Sequence, residues 1–325
     1  DYYIQASGSL TASANVQTAN DISLYGVRFV LDEGMASEQV IVDLSEPFSA
    51  DFTLAAPSVG EHRIDVYLTN AAGESLGGVN GHDFALSIGV GRYVVAMGDS
   101  TTDGVGDDDI SDDNSQDARN GGGGYPPVLN DFMTADSGGV PHTVVNEGVP
   151  GAVASDGAAL VDSLLQKHPL AERFLIEYGI NDSNKFPPIP SGLGLDRTHP
   201  DYPGTFKNSL QQIVDAVNMD GREACLAKTS IVLGDGFDAE PYEDPDSEQR
   251  NLTIKEYNQV IDELVSDPVN QISITPPDFY SKFNEVVDAG TGQRRYELEY
   301  LENYHMNGLG YRTKANEWRQ SLSGN

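Results

Sequence analysis

From Asp1 to about Gly91, apolar and polar residues alternate with a period of two. Runs of this kind include Tyr25–Leu31, Gln39–Leu44 and His62–Leu68, and turn residues separate them. Side chains on a β-strand point alternately to its two faces, so the pattern is typical of strands with one buried face. Short strands at spacings of about 8–12 residues, with no helical periodicity between them, predict an antiparallel β-sandwich.

Beyond Gly91 the pattern changes to apolar runs that alternate with segments of helical spacing. Repeated strand–helix units build a parallel sheet with helices on both faces. We therefore predict an all-β domain at residues 1–91 and an α/β domain at residues 92–325. The predicted buried strands are Tyr93–Met97, His142–Asn146, Arg173–Tyr178, Ala224–Leu233 and Gln271–Thr275, and the predicted helices are 152–167, 205–219, 253–265 and 309–322.

The chain is strongly acidic, with 51 Asp and Glu against 19 Lys and Arg and a formal net charge of −32. The acidic residues are spread along the chain, whereas binding to phosphate groups needs clustered Lys and Arg. We therefore expect neither nucleic acid nor a membrane surface as a partner. No segment of the sequence approaches the roughly 20 apolar residues that cross a bilayer.

Cys225 is the only cysteine, which excludes an intrachain disulfide and a cysteine-based metal site. It lies in the apolar run Ala224–Ala227, where we predict a buried structural thiol. The sequence has neither an initiator Met nor a signal peptide, which fits a mature or trimmed chain.

Candidate chemistry begins where the first strand of the α/β domain ends, at Gly98-Asp99-Ser100. Two later strands also end in polar segments that contain glycine, Asn146–Gly151 and Tyr178–Asp182. Ligand chemistry in open α/β sheets gathers at the carboxyl ends of parallel strands, so these segments should meet at one edge. The segment Glu302–Gly308 precedes the last helix, which can pack beside the first strand.

These segments hold the residue types that a serine hydrolase needs. A Ser hydroxyl such as that of Ser100 is a weak nucleophile until a base removes its proton, and His305 is the candidate base. Glu302, three residues before His305, can curl back to hold the other imidazole nitrogen. Donors for the developing oxyanion would be the Ser100 N–H, the Gly151 N–H and the Asn181 side-chain amide.

The motifs together resemble the SGNH hydrolases, also called the GDSL esterase/lipase family. They are Gly98-Asp99-Ser100 with Gly104, then Asn146–Gly151, Gly179-Ile180-Asn181-Asp182, and Glu302 with His305, in the family's order. The resemblance covers residues from about 92 to 325. It implies a flavodoxin-like, three-layer α/β/α fold with a parallel sheet, and hydrolysis of carboxylic esters with neither a cofactor nor a metal.

The chain departs from the family at two positions. The family usually places Asp three residues before the His, where this chain has Glu302. A longer carboxylate can still reach the imidazole, and Glu299 is the second choice for the acid. The family's usual Pro after the His is Met306 here, which affects the shape of the loop.

The N-terminal region resembles the small bacterial immunoglobulin-like modules that are attached to secreted hydrolases. The resemblance rests on Val27–Leu31, Pro47-Phe48-Ser49 and Gly60–Val66. It implies an accessory immunoglobulin-like β-sandwich and a secreted or periplasmic location. An accessory β-domain also favours a polysaccharide-linked substrate, such as acetyl esters on carbohydrate, beside small esters of short acyl groups.

Three alternatives accompany this interpretation. The acidic insertion at residues 103–118 could hold calcium, but it lacks the Gly and Glu of an EF-hand loop, and a solvated acidic loop is favoured. Gly73–Gly77 matches the G-x-S-x-G pattern around Ser75, but the glycines that follow indicate a hairpin turn, so we reject it. The competing function is a non-catalytic carbohydrate-binding protein on a hydrolase-like fold.

Overall fold

The residues before Gly91 form two antiparallel sheets, as the alternating pattern predicts. The computed structural model describes residues 8–34, 36–54, 61–77, 84–89, 91–109, 123–138, 140, 142–234 and 245–323. The inner faces of the two sheets share one core, which contains Phe29, Phe48, Phe52 and Ile64. One sheet pairs β1 (Gly8–Ala14) with β4 (Phe48–Leu54), and the other has the order β3 (Gln39–Asp43), β2 (Tyr25–Leu31), β5 (Glu61–Asn70), β6 (Phe84–Gly89).

The later part of the chain contains a four-stranded parallel sheet, which confirms the predicted α/β class. The central strand is β7 (Arg92–Gly98), between β8 (His142–Gly148) and β9 (Arg173–Glu177), and β10 (Glu223–Leu226) lies outside β9. All three pairings are parallel. Each strand follows the one before it through at least one helix, as parallel pairing requires.

Helices cover both faces of the parallel sheet because the side chains of β7 point alternately to either side. Val95 and Met97 pack in one buried cluster with α3, α5 and part of α6, whereas Val94 and Ala96 pack in a second cluster with α2 and α9. The helices are α1 (Ser100–Asp103), α2 (Tyr125–Asp136), α3 (Ala154–Lys167), α4 (Ile180–Ser183), α5 (Phe206–Met219), α6 (Pro245–Ser266), α7 (Phe279–Phe283), α8 (Tyr296–Glu299) and α9 (Gly308–Ser323).

The prediction of a fifth strand at Gln271–Thr275 is wrong, and the fourth strand ends at Leu226 and not at Leu233. Pro276 and Pro277 follow the apolar run and cannot donate to a sheet ladder. Side-chain amides of α6 take the place of a neighbouring strand. Asn258 bonds both the N–H and the carbonyl of Thr229, at 2.7 and 3.1 Å. Asn251 does the same for Val232, at 3.1 and 2.7 Å.

The rejected Ser75 lies in a turn, as predicted. The chain leaves β5 at Asn70, turns through Gly73 and returns so that Ser75 bridges Thr69. Among the helices that the structure describes, none is long and apolar enough to cross a membrane.

Candidate active site

The carboxyl ends of β7, β8 and β9 lie side by side, which brings the predicted segments to one edge of the sheet. In the pairing register, Gly98 at the end of β7 is the partner of both Gly148 and Glu177. The three segments that follow therefore leave the sheet at the same level. Register in a parallel sheet is enough to place them together, although they are far apart in sequence.

Ser100 opens a single turn of helix directly after β7. Asp99 caps this helix, and its carboxylate accepts a hydrogen bond from the Thr101 N–H at 2.8 Å. Asp99 is buried, and burial raises its pKa. A side chain at Gly148 would place its Cβ 2.3 Å from the Asp103 nitrogen, so β8 approaches the same helix as closely as glycine allows. The end of β8 thus packs directly against the turn that carries Ser100.

Asn146 bonds the end of β8 to α1. Its Nδ2 donates to the Thr102 carbonyl at 2.9 Å and to the Asp103 carbonyl at 3.2 Å. Its Oδ1 accepts from the Gly148 N–H at 2.9 Å. The side chain therefore satisfies orphan carbonyls at the end of this short helix, and it holds Ser100 against the adjacent loop.

His305 lies between Ser100 and Glu302. Its Nε2 is 2.8 Å from the Ser100 Oγ, and its Nδ1 is hydrogen-bonded to Glu302 Oε1. The backbone N–H of Leu301 donates to the His305 carbonyl at 2.9 Å, which closes the loop that carries both residues. Glu299, the second choice for the acid, is buried and bonds Arg295 at 2.7 Å. Glu302 is therefore the carboxylate that contacts the imidazole.

The two other predicted donors, at Gly151 and Asn181, line the same cavity. Gly151 has a φ of +82°, a left-handed conformation that favours glycine. Asn181 donates one amide hydrogen to the Ala152 carbonyl at 3.0 Å, which leaves its second hydrogen for another acceptor. Asp182 accepts from the Ala154 N–H at 3.1 and 3.2 Å, and burial raises its pKa to about 7. These bonds hold the loop after β8 against the loop after β9.

The cavity above Ser100 has a volume of about 260 Å³. Within the part of the chain that the structure describes, no group of three or more His, Cys, Asp or Glu could hold a metal ion. The lining residues are Ser100, Val105, Pro150, Gly151, Ile180, Asn181, Asn184, Arg250, Tyr304 and His305.

The first part of the acidic insertion holds the segment that follows His305. Asp108 accepts from the Gly308 N–H at 2.9 Å, at the start of α9. Asp107 accepts from the Gly124 N–H at 2.9 Å. The Tyr311 hydroxyl donates to the Val105 carbonyl at 2.6 Å. The remainder of the acidic insertion, residues 110–118, for which calcium binding was the less favoured alternative, lies outside the described residues.

A buried ion pair contacts Thr101, the residue after Ser100, and it was not predicted from the sequence. Lys314 on α9 donates to Glu177 Oε1 at 2.7 Å, and to the hydroxyl and carbonyl oxygens of Thr101 at 3.1 and 3.2 Å. Burial raises the pKa of Glu177 to about 7, and Lys314 opposes this effect. A charged residue inside the apolar strand Phe174–Tyr178 was the sequence signal that could have pointed to such a pair.

Comparison with known proteins gives a family match for most of the later region. Residues 96–313 match the model of the GDSL-like Lipase/Acylhydrolase family. No curated protein matches the chain significantly.

Solved structures of similar fold include two acetyl xylan esterases and one α/β hydrolase. The first acetyl xylan esterase is 15% identical, with a TM-score of 0.47 over 71% of this chain and 99% of its own. The acetylxylan esterase from Geobacillus stearothermophilus is 16% identical, with a TM-score of 0.49 over 72% and 95%. The α/β hydrolase enzyme from the metagenome of Lake Arreo, Spain, is 20% identical, with a TM-score of 0.49 over 72% and 95%. Likenesses at this level assign neither a substrate nor a residue role to this chain.

Proposed function

Because the chain belongs to the GDSL-like lipase/acylhydrolase family and is a carboxylic ester hydrolase, we propose that it works as a serine esterase with Ser100 as the nucleophile. The observation that carries the proposal is the chain of contacts from Ser100 Oγ through His305 to Glu302. A nucleophile, a base and an orienting acid in this order make up the arrangement that activates a Ser hydroxyl.

In this mechanism, the Ser100 Oγ forms a bond to the ester carbonyl carbon, and its proton passes to the His305 Nε2. The Nδ1–H of His305 donates to Glu302, which favours the tautomer with an unprotonated Nε2 and stabilises the imidazolium that forms. The C–O bond to the alcohol then breaks as His305 returns the proton to the leaving oxygen. Water, activated by the same base, releases the acyl group from Ser100.

The negative oxygen of the tetrahedral intermediate needs donors that are already in place. We assign this role to the backbone N–H groups of Ser100 and Gly151 and to the Asn181 amide. Support comes from the shared cavity and from the bond between Asn181 and the Ala152 carbonyl, which fixes the amide plane. Within the described residues, no backbone hydrogen bond occupies the Gly151 N–H.

A short acyl group suits the dimensions of the site. The cavity volume of about 260 Å³ lies just below the range of about 300–1,000 Å³ that is usual for small-molecule pockets. We extend the proposal to acetyl esters on carbohydrate, with support from the β-domain that precedes the catalytic part. For that domain we propose an immunoglobulin-like class, and for the catalytic sheet a flavodoxin-like class, supported by its strand order.

Hydrolysis of 4-nitrophenyl acetate by the full chain and by Ser100→Ala tests the proposal. We expect Ser100→Ala to lose at least about 10³-fold in kcat, and a fluorophosphonate to label Ser100. Ser75→Ala is the matched control, and it should keep both the turnover and the fluorophosphonate labelling of Ser100. Release of acetate from an acetylated polysaccharide tests the carbohydrate part. Full turnover in Ser100→Ala, or binding of glycan without any hydrolysis, would contradict the proposal.

A further inference from the structure

Arg250 supplies a fixed positive charge in the wall of the catalytic cavity. Among the described lining residues, it is the one side chain with a permanent charge, and none of these residues is Asp or Glu. This is unusual in a chain with a net charge of −32, where acidic groups outnumber basic ones by 51 to 19. Most of the described arginines pair with a carboxylate, for example Arg295 with Glu299 and Arg319 with Asp136.

The guanidinium of Arg250 contacts a neutral side chain. Its Nη1 donates to the Tyr304 hydroxyl at 2.8 Å, and its Cζ lies 4.4 Å from the centre of the Tyr304 ring. The Nε and Nη2 are buried and have no acceptor among the described residues. A buried donor without an acceptor is costly, and the cost is removed when an acceptor arrives. Arginine stems are flexible, so a small rotation can turn either donor towards the cavity.

The position of Arg250 indicates which part of an ester it would contact. Tyr304 precedes His305 in the chain, and their rings meet edge to face with centroids 6.3 Å apart. The protonated base returns its proton to the leaving oxygen, so the alcohol part of the ester departs on the side of His305. Arg250, which contacts Tyr304, is therefore expected on the alcohol side of the bound ester.

We propose that Arg250 makes this enzyme selective for esters whose alcohol part carries a carboxylate, such as an esterified hydroxy acid or sugar acid. The inference rests on the serine esterase mechanism and adds the substrate class to it. Guanidinium groups bind carboxylates with paired, charge-assisted hydrogen bonds, and a partly enclosed cavity screens this attraction less than bulk water does. The acidic remainder of the surface repels such an anion, so the preference depends on this one side chain.

Two acetate esters of nearly equal size test the inference, 4-acetoxybenzoate and 4-acetoxybenzamide. The ratio of their kcat/KM values is measured for the wild type, Arg250→Gln and Arg250→Lys, so that the difference in intrinsic reactivity cancels between proteins. We expect the preference for the carboxylate to fall by about 10–100-fold in Arg250→Gln. Arg250→Lys should keep part of the preference, because it keeps the charge and loses the fork of donors. Added salt should weaken the preference in the wild type.

A ratio that is equal in the wild type and Arg250→Gln would overturn the inference. So would an equal loss on both esters, which would show that Arg250 only supports Tyr304 and His305. Ser100→Ala separates this failure from that of the mechanism. If Ser100→Ala is inactive on both esters and the ratio does not move, then only the role of Arg250 is wrong.

Discussion

Lys314 and Glu177 should be needed for stability as a pair and not as two separate charges. Their Nζ and Oε1 atoms are 2.7 Å apart, and their side chains are 0% and 2% exposed. Removing one partner of such a pair leaves the other charge buried alone, which typically costs about 3–5 kcal/mol. Replacing both partners by apolar residues is often neutral or stabilising.

We therefore expect Lys314→Met to lower the free energy of unfolding of the α/β region by about 3–5 kcal/mol at pH 8.5, where Glu177 is ionised in the wild type. For a domain of this size, that loss corresponds to a fall in Tm of about 6–20 °C. The double variant Lys314→Met/Glu177→Met should recover most of the loss, because no charge then remains in the core. Lys167→Met is the matched control, since Lys167 is 45% exposed in its pair with Glu147 and should change stability by less than about 1 kcal/mol.

The ion pair also predicts that the free energy of unfolding depends differently on pH in the wild type and in Lys314→Met. Burial raises the pKa of Glu177 from 4.5 to about 7, although Lys314 opposes the shift. A carboxyl group whose pKa is raised on folding contributes its full stability below pH 4.5, and this contribution is lost as the pH rises to about 7. The wild type therefore loses stability over this pH range and no further above it. Without Lys314 the pKa rises further, so Lys314→Met should keep losing about 1.4 kcal/mol per pH unit above pH 7.

Urea unfolding at pH 7 and pH 8.5, followed by tryptophan fluorescence, measures these effects. Trp318 is the only tryptophan, and it is buried on α9 where it stacks on Tyr125, so the signal reports the catalytic domain. A double variant that is as unstable as the sum of the single variants would refute the reasoning. Identical pH curves for the wild type and Lys314→Met would refute the electrostatic part of it.

Two further predictions concern the geometry of the site. Glu302→Gln should slow turnover by about 10–10³-fold with little change in KM, because an orienting acid acts in the transition state. Glu299→Gln is the control and should affect stability and not turnover, since Glu299 bonds Arg295. Steady-state kinetics compare the two, and the reverse ranking would show that another group orients His305. Gly148→Ala should lower kcat at least about 10-fold in a protein that still folds, because small displacements of reacting groups lower the rate. The new Cβ would lie 2.3 Å from the backbone nitrogen of Asp103, so α1 would have to move. Wild-type kcat in this variant would show that the close approach can relax.

The sequence by itself determined the class of each region and several of the residues that meet at the site. Local periodicity separates a β-region from an α/β region because strands and helices repeat their buried face every 2 and every 3.6 residues. Ser100 and His305 are 205 positions apart, yet their meeting could be predicted. Parallel strands deliver their carboxyl ends to one edge, so the segments that follow β7, β8 and β9 meet there. The segment with His305 reaches the same place because it precedes α9, which packs against β7.

Only the tertiary structure decided which further side chains contact the sheet and the site. Asn251 and Asn258 bond the backbone of Val232 and Thr229 after β10, where a fifth strand had been predicted as the neighbour. Lys314 reaches Glu177 across the core, and Arg250 enters the catalytic cavity from α6. Each of these contacts joins residues that lie in different elements and satisfies a buried polar group, a requirement that three-dimensional burial creates. A local sequence pattern cannot predict such a contact, because the free energy of the contact depends on which polar groups are removed from water when the chain folds.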